Sequence, residues 1–252
     1  MPEAIQEGEY IYCIVGTGEA RNFGPIGIGG RGDPVTTVAY RDLSAVVSRV
    51  PLGKYVVSKE TMIAHQKAVE MVMKDHTVLP VRYYTVALNA EEIRSLLRSR
   101  YAEFKKLLRE LDNKVELGLK VLWRNMEAIL NEIGQENEEI KRLRQELHHV
   151  PSEPGAHRSS AIAEAIRGAL DAQKAQERET ILAPLKRLSL DLRLNQTYGD
   201  EMVVNAAFLV DRVREREFDL QVDALAEKYH NRVTLNYVGP VPPYNFVNIV
   251  IK

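Results

Sequence analysis

The longest helical pattern in the sequence occupies its middle, with strand-like runs on both sides. Across residues 123–150, apolar side chains recur at steps of three and four, the spacing of one helix face. At about 1.5 Å per residue such a helix is on the order of 40 Å long, too long to lie over a small sheet without extending past it. Prolines in 151–154 end the pattern, and a second one runs over 159–184. We therefore predict a projecting antiparallel helical hairpin over 124–187.

The second half of the chain otherwise reads as strands and one further helix. A helical pattern precedes the last of four alternating runs, so the order is strand, helical hairpin, strand, strand, helix, strand. The C-terminal run 244–251 has the composition of one more strand. The four runs are 115–121, 188–194, 202–210 and 232–238.

The first half shows the same mixture. A strand over 10–15 precedes a hairpin formed by 35–40 and 43–48, and one helix follows a plausible N-cap at Ser58. A second helix follows a capping-box pattern at Asn89. One face of the first helix is expected to be buried; its members are Met62, His65, Val69, Val72 and His76.

Together these patterns predict an α+β protein made of two ferredoxin-like units, the second of which carries the helical hairpin. The boundary falls between the second helix and the strand that begins near Val115. We expect an N-terminal domain over 1–112 and a C-terminal domain over 113–252.

Composition limits the kind of partner. Lys plus Arg number 34 and Asp plus Glu number 35, a net charge of -1, so no global field attracts nucleic acid or an anionic membrane. The single cysteine, Cys13, lies in a strand-like run and is expected to be a small buried hydrophobe. No signal peptide and no run of about 20 apolar residues is apparent, which predicts a soluble intracellular protein.

No recognisable catalytic or metal-binding constellation can be assembled from the sequence, and no cofactor is expected. The glycine-rich loop 16–32 begins with Gly16-Thr17-Gly18 after a strand, as in dinucleotide-binding proteins. However, Arg21 occupies the third glycine position, and Pro25 opposes the helix that would bind a pyrophosphate. A nucleotide-binding regulator using this loop is the alternative function, and self-association through the hairpin is a third.

The segment 239–247 combines three prolines with Tyr244 and Phe246. We expect the prolines to fix an extended backbone, which suits either a rigid domain seam or a ridge that binds another protein.

Several segments together resemble the GvpF/GvpL family of gas vesicle proteins, in both their order and their spacing. The family pattern commonly has glycine where this chain has Tyr84, and an aromatic residue near Val241. The segments that carry the resemblance are 10–12, 38–48 and 77–83, His65, residues 205–210, Phe218 and residues 239–247.

The resemblance implies a minor gas vesicle component without catalytic activity, located at the gas vesicle in the cytoplasm. Its implied partner is the small hydrophobic shell protein, whose aggregation it would prevent during vesicle nucleation, with other minor gas vesicle proteins as further partners. Neither nucleic acid nor a lipid membrane is expected as a partner. Aromatic and proline side chains supply contact area with few rotors to freeze. The predicted protein-binding residues are Tyr83, Tyr84, Pro242, Pro243, Tyr244 and Phe246.

Overall fold

The computed structural model describes residues 6–53, 58–149, 155–249 and 251. The chain divides into two compact units. The first comprises Met1–Leu117, Leu209–Arg212 and Gly239–Lys252, and the second comprises Gly118–Phe208 and Val213–Val238. This division differs from two continuous domains, because the C-terminal residues from Gly239 onward belong to the first unit.

The first unit contains an antiparallel sheet of five strands. The strands are β1 (Glu7–Val15), β2 (Thr36–Tyr40), β3 (Leu43–Pro51), β4 (Val78–Pro80) and β5 (Val86–Ala87). Their order is β2-β3-β1-β4, and β5 also pairs with β1. The predicted hairpin is confirmed: β2 and β3 pair from Tyr40 opposite Leu43, and Arg41 in the turn has a φ of 55°.

The helices of the first unit are α1 (Lys59–Met73), α2 (Ala90–Ser99) and α3 (Tyr101–Glu110). Ser58 caps α1 in a capping box with Thr61, and the Asn89 side chain accepts the first N–H groups of α2. Both predicted helix starts are therefore confirmed. The single helix expected after Asn89 is in fact two, because Arg100 leaves helical geometry between α2 and α3.

A β-bulge in β1 divides the core of the first unit between the two faces of its sheet. Ile11 pairs with Val47 and Cys13 pairs with Val46, so Tyr12 is the extra residue. Because of this bulge, Tyr12 and Cys13 both face α1, whereas Ile11 faces α2 and α3. Cys13 is fully buried, as expected, and burial raises the pKa of its thiol.

The second unit is built on a four-stranded sheet and four helices. The elements are β6 (Lys114–Trp123), α4 (Met126–Glu136), α5 (Glu138–His149), α6 (Gly155–Lys186), β7 (Asp191–Leu194), β8 (Met202–Asp211), a 3-10 turn (Arg212–Arg214), α7 (Glu215–Tyr229) and β9 (Val233–Val241). The strand order in the sheet is β7-β8-β6-β9. The element order agrees with the one expected from sequence, and the ferredoxin-like description of the two units stays a prediction.

The long helix predicted over 123–150 is wrong in two respects. Trp123 ends strand β6, and Asn137 separates α4 from α5 with an extended backbone (φ -82°, ψ 111°). The Asn137 side chain accepts the N–H of Ile140 at 3.1 Å, so it caps the next helix instead of continuing the first. Helix α6 packs against α4 and α5. The prolines expected to end the first helix, in 151–154, lie outside the described residues.

The strand predicted over 244–251 is also wrong for the residues described there. The N–H of Tyr244 donates to the carbonyl of Pro242 at 2.7 Å, and the N–H groups of Phe246 and Val247 donate to the carbonyl of Pro243. Proline preference for turns outweighs the β propensity of the residues that follow. The chain here is a turn followed by irregular structure.

A partly buried ion network joins the helices of the second unit to its sheet. Arg232, just before β9, contacts Glu177 of α6 at 2.6 Å and Glu132 of α4 at 2.8 Å. Glu177 also accepts the indole N–H of Trp123 at 2.8 Å. Burial alone would raise the pKa of Glu177, but the hydrogen bonds from Arg232, Trp123 and Gln173 outweigh it and hold the pKa below its usual value.

We expect Arg232→Met to lower the free energy of unfolding by about 2 kcal/mol, because it leaves Glu177 largely buried without its cation. Arg94→Met is the matched control: it removes an exposed ion pair with Glu91 and should cost less than about 0.5 kcal/mol. Urea titrations of the three proteins measure both values. Equal losses for the two variants would contradict the structural role assigned to the network.

Candidate functional site: an apolar groove in the first unit

A groove of about 250 Å³ opens in the first unit where three segments meet. These segments are the start of α1, the chain that follows β4, and the C-terminal segment after Pro243. Gln66 and Arg82 are its polar lining residues, and the rest of the lining is largely apolar or aromatic. We call this site the groove; its principal lining residues are Met62, His65, Val81, Tyr83, Tyr244, Val247 and Ile249.

Met62 is the clearest departure from the expected burial. The sequence places it on the buried face of α1, yet 52% of its surface is exposed, whereas His65, Val69 and Val72 of the same stripe are buried as expected. Met62 lies in the first turn of α1 and lines the groove. A helical apolar stripe is therefore shared here between the core and an open surface.

Hydrogen bonds fix the inner side of the groove. The N–H of Tyr84 donates to Tyr10 Oη at 3.0 Å, and Tyr10 Oη lies 2.9 Å from His65 Nδ1. This geometry allows Tyr10 to accept the N–H of Tyr84 and to donate its own proton to His65 Nδ1, which leaves the proton of the neutral imidazole on Nε2. Strand β1, helix α1 and the segment after β4 are joined at one hydroxyl.

Aromatic rings surround this hydroxyl. The imidazole of His65 stacks on Tyr12 at 5.7 Å and meets Tyr83 edge-on at 5.7 Å. The hydroxyl of Tyr83 is held 2.5 Å from Thr61 Oγ1 in the first turn of α1. Such packing leaves the ring of Tyr83 little freedom, so this wall of the groove is formed before any partner binds.

Burial lowers the pKa of His65 to about 4. The imidazole is thus neutral at pH 7, as its acceptor role toward Tyr10 requires.

We expect the free energy of unfolding to fall as the pH is lowered from about 6.5 to about 4. In that range the unfolded chain protonates the imidazole of His65 while the folded protein does not, so protons favour the unfolded state. The full effect is about 3 kcal/mol. Urea titrations across this pH range should show a flatter profile for His65→Gln than for the unsubstituted protein. A His65→Gln profile parallel to that of the unsubstituted protein would contradict this assignment.

A buried carboxylate holds the C-terminal wall of the groove in place. Glu116 accepts hydrogen bonds from the backbone N–H of Asn245 at 2.8 Å and from its side-chain amide at 2.5 Å. Burial raises the pKa of Glu116, and the two hydrogen bonds oppose that rise. Asn245 lies between Tyr244 and Phe246, so this contact anchors the backbone segment that carries both rings.

The structure distributes the six predicted binding residues among several surroundings. Tyr83 and Tyr244 line the groove together, and Tyr244 is 37% exposed. Pro242 and Pro243 are buried in the turn that carries Tyr244, so their surfaces are not available to a partner. Phe246 is half-buried and packs against the core on the other side of the sheet.

Sequence reasoning missed Met62, Val247 and Ile249 as lining residues, because apolar side chains near a helix start or a chain end read as core.

Tyr84 lies beside the groove in an unusual conformation. Its φ is 68°, a left-handed value that side chains disfavour, and its hydroxyl donates to the carbonyl of Gly53 at 2.8 Å. This value gives a physical reason for the glycine common at this position in the family pattern. The ring of Tyr84 contacts a different cavity, between β5 and α2.

We expect Tyr84→Gly to be more stable than Tyr84→Ala by about 1 kcal/mol. Both variants lose the same ring and the same hydrogen bond to Gly53, but only alanine keeps a Cβ in the left-handed backbone. Urea unfolding of the two variants measures the difference. An alanine variant as stable as the glycine variant would show that the backbone is relaxed at this position.

The glycine-rich loop has a structural explanation. Hydrogen bonds within the loop occupy the N–H groups of Phe23, Gly24 and Gly27, which a phosphate would otherwise use. A Cβ on Gly18 would lie 2.0 Å from the carbonyl oxygen of Arg41, so glycine is required for close packing on the β2–β3 turn. Residues 16–35 contain no helix. Nothing in the loop supports the nucleotide-binding alternative.

In the part of the chain that the structure describes, no three or more His, Cys, Asp or Glu side chains are grouped so as to hold a metal ion. Among those same residues, no helix is both long and apolar enough to cross a membrane.

The fold and the groove define an α+β protein with two antiparallel sheets and an apolar surface site formed by aromatic and aliphatic side chains. Comparison with known proteins identifies its family. The family model described as gas vesicle synthesis protein GvpL/GvpF matches residues 8–248. The chain belongs to this family, and its role is related to gas vesicles.

Individual relatives agree with this assignment. Gas vesicle protein F of Haloferax mediterranei is 27% identical over 220 residues, which cover 86% of this chain and 83% of that protein. Gas vesicle protein L of a Streptomyces species is 29% identical over 244 residues, covering 90% and 87%. The crystal structure of GvpF from an Anabaena species superimposes with a TM-score of 0.84 at 23% identity, covering 97% of this chain and 100% of that one. The predicted α+β fold class is thereby confirmed.

Proposed function

We propose that this protein binds the small hydrophobic shell protein of the gas vesicle through the groove and keeps it from aggregating before assembly. The single observation that carries the proposal is the groove itself, an exposed apolar site with a prearranged aromatic wall, in a chain of the gas vesicle synthesis family. Catalysis forms no part of this function.

The chemistry of the shell protein supports such a contact. A wall that separates water from gas needs subunits with a large apolar face, and such a face aggregates when it is left open to water. An apolar side chain of the shell protein can enter between Met62, Tyr83 and Tyr244, where it displaces water from apolar surface on both partners. Gln66 and Arg82 supply the polar part of the lining.

Rigidity of the site adds to its affinity. Tyr83 is hydrogen-bonded to Thr61, and the segment that carries Tyr244 is held by Glu116. Neither wall has to be ordered on binding, so the entropic cost of association falls mainly on the partner. Met62 is the adaptable element, because its unbranched side chain fits differently shaped apolar surfaces.

The proposal places the protein at the gas vesicle within the cytoplasm, together with the shell protein and other minor gas vesicle proteins. Tyr83 and Tyr244 are its principal contact residues. Tyr84 lies beside the site, Phe246 packs against the core on the other side of the sheet, and Pro242 and Pro243 support the turn that carries Tyr244 from the interior.

We expect Met62→Glu to weaken binding to the shell protein at least about tenfold, because the groove would then hold a carboxylate that binding removes from water. Met71→Glu is a matched control: Met71 is exposed on the same helix but does not line the groove, and its replacement should change the affinity by less than about twofold. Affinity is measured by titrating detergent-solubilised shell protein against labelled protein, and light scattering follows aggregation after dilution of the detergent.

Three results would overturn this proposal. One is the absence of association between the unsubstituted protein and the shell protein. Another is association that Met62→Glu leaves intact. The third is equal weakening by both glutamate variants, which would show that general surface apolarity, and not the groove, is responsible.

A further inference from the structure

Strand β7 forms one edge of the sheet in the second unit, and its outer side carries exposed leucines. The sheet order β7-β8-β6-β9 leaves β7 with β8 as its only neighbour in that sheet. Leu190, directly before the strand, is 58% exposed, and Leu194 at its end is 55% exposed. Exposed leucines on an open strand edge favour association with another strand.

The direction of the backbone shows which residues face outward. The N–H of Asn195, directly after β7, donates to the carbonyl of Asn205 within β8, so the backbone groups of Asn195 point to the inner neighbour. Successive residues of a strand point their backbone groups to opposite sides. The backbone groups of residues 191 and 193 therefore point to β8, while the N–H and C=O groups of Leu192 and Leu194 point away from it.

The sequence Leu190-Asp191-Leu192-Arg193-Leu194 is complementary to itself when read in reverse. In an antiparallel pair of two copies centred on Leu192, each Leu190 lies opposite Leu194 of the other copy, and Leu192 lies opposite its own equivalent. Each Asp191 then lies opposite Arg193 of the other copy. The same alignment places the outward backbone groups of Leu192 in the two copies in a hydrogen-bonded pair.

We propose that β7 pairs with β7 of a second copy of this chain in this antiparallel register, forming one continuous sheet across a two-fold axis. Every interaction away from the axis occurs twice, as two-fold symmetry requires, and Leu192 meets its own equivalent on the axis. The leucine side chains of the two copies lie on one face of the joined sheet, and the alternating charges lie on the other.

Within one copy, Asp191 occupies the groups that this pairing uses. Its Oδ1 accepts the N–H of Leu192 at 2.8 Å, and its carboxylate contacts the guanidinium of Arg193 at 3.0 Å. On pairing, the N–H of Leu192 donates to a backbone carbonyl of the second copy instead of to the carboxylate of Asp191. The ion pair between Asp191 and Arg193 of one copy is replaced by ion pairs between Asp191 of each copy and Arg193 of the other. In the single copy the outward N–H of Leu192 thus keeps a partner, and the pair forms as the protein concentration rises.

Charge reversal tests the register. Asp191→Arg places arginine opposite Arg193, and Arg193→Asp places aspartate opposite Asp191, so each single variant converts two attractive pairs into two repulsive ones. Sedimentation equilibrium of the full chain should show dimerisation weakened at least about tenfold for each. The double variant Asp191→Arg/Arg193→Asp restores complementarity and should dimerise within about threefold of the unsubstituted protein.

Mixing the two single variants tests charge pairing across the interface. The antiparallel register itself is tested by the weakening in each single variant, because a parallel pair would already place like charges opposite each other in the unsubstituted protein. A copy with Asp191→Arg is complementary to a copy with Arg193→Asp at both charged positions, so the mixture should dimerise more tightly than either variant does alone. Leu192→Pro removes an outward N–H and should abolish the dimer, while circular dichroism confirms that the fold is kept.

A monomer at every concentration up to the millimolar range would overturn the proposal. So would a dimer that survives Leu192→Pro with its fold intact, or single charge variants that neither weaken alone nor recover when mixed. Capture of a different gas vesicle protein by β7, with no dimer of this chain, would assign the edge to that partner and would also overturn it.

Discussion

The hydroxyl of Tyr10 is the interaction on which the arrangement of the first unit depends. It lies in the core, where an unsatisfied polar group is costly, and its two hydrogen bonds join β1 to α1 through His65 and to the segment after β4 through the backbone of Tyr84. The groove lies along α1 and this segment. Its position therefore follows from the need of one buried phenol to pair its donor and its acceptor.

Much of the fold could be predicted from the sequence, because local signals and tertiary packing agree there. Alternating β-branched residues gave the β2–β3 hairpin, and Ser58 and Asn89 marked helix starts. The failures occurred where a side chain or a turn competes with periodicity. Asn137 fits an apolar stripe by spacing, yet its amide caps a new helix; the prolines before Tyr244 form a turn although β-forming residues follow.

The site was less predictable than the fold. Tyr83 and Tyr244 could be selected as aromatic residues in unusual segments, but nothing in the sequence showed that these segments meet. Met62 could not be recognised, because an apolar residue at helical spacing looks the same whether it covers a sheet or lines a groove. The bulge at Tyr12 was equally hidden: it changes which residues of β1 share a face, and it depends on pairing with β3.

The isolation of Cys13 has a practical consequence. It is the only cysteine among the 252 residues, it lies in the central strand, and burial keeps its thiol protonated and out of reach of reagents. A fluorophore or spin label attached to a new cysteine at an exposed position would therefore report from that position alone while the protein is folded. Distances between labels on introduced cysteines can therefore be measured in the native chain without first replacing Cys13.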